Sequence, residues 1–205
     1  KKAGITRVWM GVPSWPNHAQ IFADLGVELK SFNHATKAGV VDMDALRAAI
    51  GEAEAGDAIL LHGCCHNPTG IDYTNQQWDE IAPLVAAKGL LPILDLAYQG
   101  LGQGMEEDAY GLRRVLAEVP EALIAYSCDK NFGMYRDRVG AIYVMAEDAE
   151  VLGRVLSNGH ALARAAWSMP PDHGGAAVRL ILEDETLTTM WLDELDTMRA
   201  RMRQV

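Results

Sequence analysis

An α/β fold, with a mainly parallel sheet flanked by helices, is the architecture that the sequence predicts. Two continuous apolar runs, at residues 58–61 and 90–94, are typical of strands buried on both faces, as parallel strands are. Between them lies a helical segment that opens with a capping box, Thr74 to Gln77, and ends at Gly89. Strands that alternate with helices in this way indicate crossover connections between parallel strands.

The remaining elements follow from the same patterns. Short apolar and β-branched runs predict further strands at residues 5–10, 27–32, 123–126 and 139–145. Helices are predicted from a cap at Asn17, from a cap at Asp42, over residues 105–119, and almost continuously from Glu147 with a break at residues 168–171. An apolar stripe on the last helix predicts packing against a core or a neighbouring domain; it consists of Met190, Trp191, Leu195, Met198 and Met202.

Composition and charge limit the classes of function. The chain has 205 residues, of which 49% are hydrophobic and 22% are charged, as in ordinary globular proteins. A formal net charge of -10 argues against a general nucleic-acid or anionic-membrane surface, and no apolar run approaches the roughly 20 residues of a membrane span. Three cysteines do not make a disulfide framework, which fits a reducing cytoplasm. Because the chain opens without methionine and stops inside a helical pattern, we expect a piece of a longer protein.

A loop that contains Lys130 stands between the predicted strands at residues 123–126 and 139–145. Ser127 precedes the lysine by three residues and Arg138 follows it by eight. A lysine amine reacts with carbonyls when its pKa is lowered, and arginine binds phosphate oxygens in a bidentate manner, so the loop suggests pyridoxal phosphate. On residue types alone, a solvated surface lysine is the commoner explanation. The Ser-x-x-Lys spacing also fits β-lactamase-like enzymes, but their Ser-Asp-Asn and Lys-Thr-Gly motifs do not occur here.

Polar side chains follow three predicted strands at the edge where open parallel sheets bind ligands. Asn67 follows the strand at 58–61, Asp95 and Tyr98 follow the strand at 90–94, and Ser127 and Lys130 follow the strand at 123–126. We therefore expect an amide, a carboxylate, a phenol, a hydroxyl and an amine to converge at one edge of the sheet.

Each of these motifs has a simpler reading when it is taken alone. Residues 67–70, Asn-Pro-Thr-Gly, are of types common in turns, and Asp95 at a strand end could merely cap a helix. The cluster His62, Cys64, Cys65 and His66 could suggest zinc, but adjacent cysteines point apart in a strand and no second ligand pair follows, so we expect no metal. The glycines at residues 100–104 lack the spacing of a dinucleotide-binding loop.

Four motifs taken together resemble the aspartate and aromatic-amino-acid aminotransferases, class I, of the fold-type I pyridoxal-phosphate enzymes. They are Trp-Pro-Asn-His at 15–18, His-Asn-Pro-Thr-Gly at 66–70, Asp-Leu-Ala-Tyr-Gln-Gly at 95–100, and Lys130-Asn-Phe-Gly through Arg138-Val-Gly. The resemblance covers nearly the whole chain and implies an incomplete large domain of that fold. Residues 1–146 would be the central part of the cofactor-binding domain, and residues 147–205 a helical segment leading toward a small domain.

The resemblance also implies roles around pyridoxal phosphate. Lys130 would form the internal aldimine and carry the substrate α-proton, and Arg138 and Ser127 would hold the cofactor phosphate. Trp15 would stack on the pyridine ring, and Asp95, with His18 behind it, would pair with the ring nitrogen.

Two further cofactor contacts are implied for the opposite side of the ring. Asn67 and Tyr98 would hydrogen-bond the phenolic oxygen of the ring. Catalysis would then rest on Lys130, Asp95 and Tyr98, whereas Trp15 and Asn67 would also contact the substrate.

The implied reaction is transamination between an aromatic amino acid or aspartate and 2-oxoglutarate. Arg164 resembles the arginine that reaches into the neighbouring subunit's site to bind a dicarboxylate, so a homodimer is expected. Met169 stands where strict aspartate enzymes tend to carry a polar residue, which favours an aromatic substrate. An alternative function is a pyridoxal-phosphate lyase or decarboxylase of the same fold, which would not need Arg164. The third interpretation is an inert fragment, which would have no activity outside the longer dimeric protein.

One residue departs from the family pattern. Asp129, immediately before the lysine, replaces a small residue beside the expected phosphate site. A carboxylate there would repel a phosphate dianion unless it turned away or paired with Arg136. The sequence therefore leaves the strength of phosphate binding open.

Overall fold

The computed structural model of the chain describes residues 4–204. Residues 1–3 and Val205, on which the expectation of a longer protein partly rests, lie outside the described residues. The described strands are β1 (Arg7–Val12), β2 (Glu28–Asn33), β3 (Ala58–His62), β4 (Leu91–Leu96), β5 (Ala122–Ser127) and β6 (Gly140–Met145). The described helices are α1 (Pro16–Asp24), α2 (Met43–Glu52), α3 (Asn75–Lys88), α4 (Tyr110–Leu116), α5 (Ala149–Trp167), α6 (His173–Glu183) and α7 (Glu185–Met202).

The strands form one mixed sheet in the order β2-β1-β3-β4-β5-β6. Neighbouring strands from β2 to β5 pair in parallel, whereas β6 pairs antiparallel with β5. The predicted α/β fold with a mainly parallel sheet is confirmed. The last strand is reversed because the chain returns from β5 through the lysine loop, without the crossover helix that a parallel connection needs.

Buried side chains cover both faces of the sheet's centre. Along β1 and β3, Val8, Met10, Ala58 and Leu60 pack into a small cluster on one face, together with α1. The alternate residues of these strands join a larger cluster with α2, α3 and α4 on the other face. This two-sided burial explains why β3 reads as a continuous apolar run.

The first helix begins differently from the prediction. Trp15 is the N-cap residue and Pro16 occupies the first helical position, so Asn17 lies inside the helix and makes no capping hydrogen bond. Proline suits the first position because its missing N–H would have no partner there. The predicted cap at Asp42 is present, since its side chain accepts a hydrogen bond from the amide of Ala45.

The helix predicted at residues 105–119 is shorter than expected and spans only α4. The carboxylate of Asp108 is buried and accepts the backbone amides of Gly100, Gly102 and Gln103 at 2.7–2.9 Å. Residues 105–109 form turns and not the first turns of the predicted helix. The reason is that the Asp108 carboxylate bonds the backbone of the glycine-rich loop.

The C-terminal part contains three helices rather than the two that the pattern predicts. Asp184 ends α6 and caps α7 by accepting the amide of Leu187. Of the apolar stripe on α7, Trp191 is buried, whereas Met190 and Met202 are exposed. Within residues 4–204, no helix is both long enough and apolar enough to cross a bilayer.

Candidate functional site

The carboxyl ends of the parallel strands bring together the side chains that the sequence singled out. The chain leaves β1 for Ser14 and Trp15 and then returns on the far side of β1 as β2, so the strand order reverses between β1 and β3. Such a reversal opens a crevice at the strand ends. In the sheet register, His62 is the partner of Asp95, and Asp95 is the partner of Ala125 on β5.

A chain of hydrogen bonds leads through two histidines to Asp95. The amide of Asn67 donates to Nδ1 of His62 at 3.3 Å, which leaves the proton of a neutral His62 ring on Nε2, 3.4 Å from Oγ of Ser14. The Ser14 hydroxyl can then donate to Nδ1 of His18 at 3.1 Å, and Nε2 of His18 donates to Oδ2 of Asp95 at 2.9 Å. The arrangement fixes both tautomers and aims an N–H at the carboxylate.

Sequence reasoning found His18 and Asp95 but gave no role to Ser14 or His62. Ser14 lies in a proline-flanked loop, and its partner His62 is 48 residues away in the chain. Only the pairing of β1 with β3 brings the two side chains together. The one local signal was the i, i+4 spacing of Ser14 and His18.

His62 belongs to a stack of buried or half-buried histidines. Its ring centroid lies 4.3 Å from that of His66, which in turn stacks on His34 at 3.5 Å. Burial lowers the pKa of His62 to about 4 and that of His66 to about 3, and it also lowers the pKa of His34. These rings are therefore neutral near pH 7, and the nearby Asp95 does not offset the cost of burying a charged His62 ring.

Candidate metal-ligand atoms in this region belong to the same hydrogen-bonded chain. The ligand atoms of His18, His62 and Asp95 lie within 4.8 Å of one another, the one such group among the described residues. The cysteines considered with His62 at the sequence level are not part of it. His18 and Asp95 already form a hydrogen bond with each other, and His62 contacts Ser14. We therefore interpret the group as a hydrogen-bonded network that positions Asp95.

The phenol and the amide expected beside a cofactor ring are in contact. Nδ2 of Asn67 lies 3.4 Å from the hydroxyl of Tyr98, and burial raises the pKa of this tyrosine. Nζ of Lys130 lies 3.5 Å from Oγ of Ser127 and 5.2 Å from the centre of the Tyr98 ring. The amine and the hydroxyl thus lie next to each other, with the phenol beside the amine.

Asp129 pairs with Arg138, whereas the sequence analysis considered turning away or pairing with Arg136 as the ways to relieve its repulsion. The Asp129 side chain is buried, its Oδ2 forms an ion pair with Nη1 of Arg138, and its Oδ1 accepts the amide of Val139 at 3.0 Å. Arg138 has a φ of +56° and its side chain is 70% exposed. The left-handed backbone at Arg138 belongs to the turn that brings residue 138 back to residue 129, which spacing along the chain could not reveal.

Residues that follow the lysine bind its loop to the segment after β4, to β5 and to α7. The side-chain nitrogen Nδ2 of Asn131 donates to the carbonyl of Gln99 at 3.0 Å and to the hydroxyl of Tyr126 at 3.1 Å. The indole of Trp191 donates to the carbonyl of Asn131 at 2.7 Å and stacks on the Phe132 ring at 4.3 Å. The sequence predicted that Trp191 packs against other residues, but it did not predict these contacts with the lysine loop.

A cleft of about 570 Å³ opens at this edge of the sheet, between the ends of β4 to β6 and the turn after α5. Asp95, Ser127 and Arg138 line it on one side and Met169 on the other. Trp15 lies edge-on to His18 with a centroid separation of 5.1 Å and is 42% exposed. Arg164 is exposed on the last turn of α5 and, among the described residues, is not part of this lining.

Comparisons with known proteins identify the family of the chain. The family model for aminotransferase class I and II matches residues 3–205. A tyrosine aminotransferase of Rhizobium meliloti (strain 1021) is 51% identical over 196 residues, covering 95% of this chain and 50% of the relative. An aspartate aminotransferase of Escherichia coli (strain K12) is 45% identical over 206 residues, covering 100% of this chain and 52% of the relative.

Solved structures give the same result for the fold. An aromatic-amino-acid aminotransferase from Burkholderia pseudomallei, described as covalently bound to pyridoxal phosphate, superposes with a TM-score of 0.94 at 37% identity, over 98% of this chain and 50% of that one. The chain spans about half the length of the curated relatives it matches. On the family model and these relatives, the chain belongs to the class I and II aminotransferase family.

Proposed function

We propose that the complete protein transfers an amino group between an aromatic amino acid or aspartate and 2-oxoglutarate, with pyridoxal phosphate as cofactor. One observation carries the proposal: Asp95, Ser127 and Arg138 line a single cleft, and the amine of Lys130 lies 3.5 Å from Ser127. A carboxylate from the end of β4 and a guanidinium from the β5–β6 loop thus line a space large enough for an aromatic ring, and the amine of that same loop lies next to the lining residue Ser127.

The residues present fit this cofactor. Asp95 supplies an anion for the protonated ring nitrogen, and Arg138 with Ser127 supplies donors for the phosphate. Lys130 is the amine to which the aldehyde would be attached, and Asn67 and Tyr98 would donate to the phenolic oxygen. When bound, the pyridoxal group supplies an electron sink that stabilises the carbanion formed on loss of the substrate α-proton.

The chain of hydrogen bonds behind Asp95 orients its carboxylate. His18 donates to Oδ2 of Asp95 at 2.9 Å, and Ser14 is placed to donate to Nδ1 of His18. The second carboxylate oxygen of Asp95 would then be left to accept a hydrogen bond from the protonated ring nitrogen.

Lys130 would act as the general acid and base. Its amine is close to Ser127 and Tyr98, which would place it to take and hold the proton that the substrate α-carbon loses. The open cleft leaves room for a substrate side chain next to Met169. A flexible thioether at that position supports an aromatic substrate.

Substrate range and assembly are part of the same proposal. The relatives named tyrosine, aspartate and aromatic-amino-acid aminotransferases support both donor classes. Arg164 is exposed and lies outside the cleft of its own chain, which suits a role in the site of a second subunit in a homodimer. There it would bind the second carboxylate of 2-oxoglutarate or aspartate. We place this enzyme in the cytoplasm.

The attachment of the cofactor is tested by Lys130→Ala in the complete protein. The variant should lose the visible absorption band of lysine-bound pyridoxal phosphate and nearly all amino-group transfer from tyrosine or aspartate to 2-oxoglutarate. Lys88→Ala is the matched control, because Lys88 ends α3 at the opposite edge of the sheet, just before β4 begins. A band that survives Lys130→Ala would refute the assignment.

The reaction class is tested by following the products. Transamination converts tyrosine to its keto acid only while 2-oxoglutarate is converted to glutamate. Release of carbon dioxide or ammonia without a keto-acid acceptor would instead identify a lyase or decarboxylase on this fold.

A further inference from the structure

The phosphate end of the cleft carries an acid that its proposed role does not require. Asp129 is 2% exposed and precedes Lys130 in the chain. One of its oxygens accepts the amide of Val139 at 3.0 Å, and the other forms an ion pair with Arg138. The ion pair and the backbone N–H fix this carboxylate directly beside the guanidinium that would receive the phosphate.

The ion pair leaves part of the Arg138 guanidinium free. Its hydrogen bonds to the described residues all come from Nη1, which donates to Asp129 and to the carbonyl of Tyr135 at 3.1 Å. The Nε and Nη2 donors remain for an anion in the cleft, since the side chain is 70% exposed. Arg138 can therefore bind a phosphate without leaving Asp129, and the carboxylate stays close to that phosphate.

The charge of Asp129 is expected to weaken the binding of a phosphate group at Arg138. Asp129 offsets the single positive charge of Arg138, and it repels a phosphate dianion from a buried position that water does not surround. An unphosphorylated ring would not feel this repulsion, because its contacts lie toward Lys130, Asp95 and Tyr98. The carboxylate thus acts on the phosphate group alone.

We propose that Asp129 is an affinity-determining residue of the phosphate subsite, which makes this chain hold phosphorylated pyridoxal less tightly than a neutral residue at position 129 would allow. The inference rests on the proposed function for the identity of the ligand. It concerns only the Arg138 end of the cleft, so it can fail while the assignment of Lys130 stands.

The experiment compares the complete protein with its Asp129→Asn variant. Asparagine keeps an oxygen for the Val139 amide and removes the charge. Equilibrium binding is measured for pyridoxal phosphate, for pyridoxal and for inorganic phosphate. The variant should bind pyridoxal phosphate and inorganic phosphate at least about tenfold more tightly, with pyridoxal binding unchanged within about twofold.

A control charge is available in the same loop. Asp137 pairs with His173 at 2.8 Å instead of with Arg138, so Asp137→Asn should change pyridoxal-phosphate binding by less than about threefold. Asp129→Ser, which also removes the charge, should tighten binding in the same direction as Asp129→Asn. Agreement between the two variants separates the effect of charge from a local change in packing.

The outcomes separate the two proposals. Unchanged or weaker phosphate binding in both Asp129 variants would overturn the inference, and so would an equal effect on pyridoxal and pyridoxal phosphate. A lysine-dependent pyridoxal band with no response to Asp129→Asn leaves the proposed function intact and removes the inference. Tighter inorganic phosphate without any pyridoxal band supports the anion subsite and removes the proposed function.

Discussion

The parallel strands β1 to β5 and the segment from β6 through α5 differ in how they are stabilised. In the first region, Val8, Ile59, Leu61 and Leu94 are at most 1% exposed, and helices pack on both faces of the sheet. In the second, β6 leaves Ile142 72% exposed, and α5 has no buried residue in the described chain. Burial of apolar surface therefore stabilises the first region, whereas backbone pairing and helix formation carry more of the second.

The proposed site lies across the boundary between these regions. Its proposed ring-nitrogen end consists of Asp95 on β4 and the buried His18 on α1, both in the first region. The proposed phosphate end at Arg138 and the proposed substrate side at Met169 come from exposed segments. Under the proposal, the group that pairs with the ring nitrogen is thus fixed by the core, and the phosphate and substrate contacts lie where the chain packs least. The predictions below test this contrast.

The largest difference in the free energy of unfolding is expected when one apolar side chain in each region is truncated to alanine. Leu94→Ala should lower the free energy of unfolding by about 2–5 kcal/mol, because the side chain is fully buried and the substitution leaves a cavity. Ile142→Ala in β6 should cost less than about 1 kcal/mol, since most of that side chain is already in water. Urea unfolding curves measure both changes. Similar losses in the two variants would mean that β6 is covered in solution, and the contrast would fail.

Local patterns predicted elements of both regions, since the strand predicted at residues 139–145 spans Gly140–Met145 in the structure. Strands β3 and β4 and helix α3 are encoded by local apolar runs and by a capping box, and the structure places each within about two residues of its predicted ends. The helix at α4 was overestimated because Asp108 bonds distant amides, which no periodicity reveals.

Site residues were predictable only where a motif names them. Ser14 and His62 were missed because their link to Asp95 depends on strand pairing and on histidine tautomers. The pairing of Asp129 with Arg138 was not foreseen, because the turn that brings Arg138 back to it has a left-handed backbone at residue 138 that the sequence did not indicate.

The next prediction concerns pH. Burial lowers the pKa of His62 to about 4 from an ordinary value of 6.5, so the folded protein excludes a proton that the unfolded chain binds. Stability should therefore fall as the pH drops from about 6.5 to about 4, with this histidine contributing on the order of 3 kcal/mol to the fall. Well above pH 6.5 the ring is neutral in both the folded and the unfolded chain, so this histidine adds no pH dependence there.

His62→Gln should flatten that pH dependence. His160→Gln is the control from the exposed region, because His160 lies in water on α5 in the folded protein. Unfolding free energies at pH 7 and pH 4.5 give the slopes for the three proteins. If His62→Gln and His160→Gln change the slope equally, the buried histidine is not responsible.

The smallest effect comes from adding one methyl group to a helix in each region. A Cβ on Gly111 in α4 would lie 2.0 Å from the indole of Trp78, whereas a Cβ on Gly153 in α5 would meet nothing within 4 Å. Gly111→Ala should destabilise by about 1–3 kcal/mol because α3 and α4 must separate, whereas Gly153→Ala should stabilise by about 0.5–1 kcal/mol through higher helix propensity. Opposite shifts of the urea midpoint would support the contrast at the level of single helices. A destabilising Gly153→Ala would mean that another surface packs against α5 in the complete protein, and the exposed face would then be an interface.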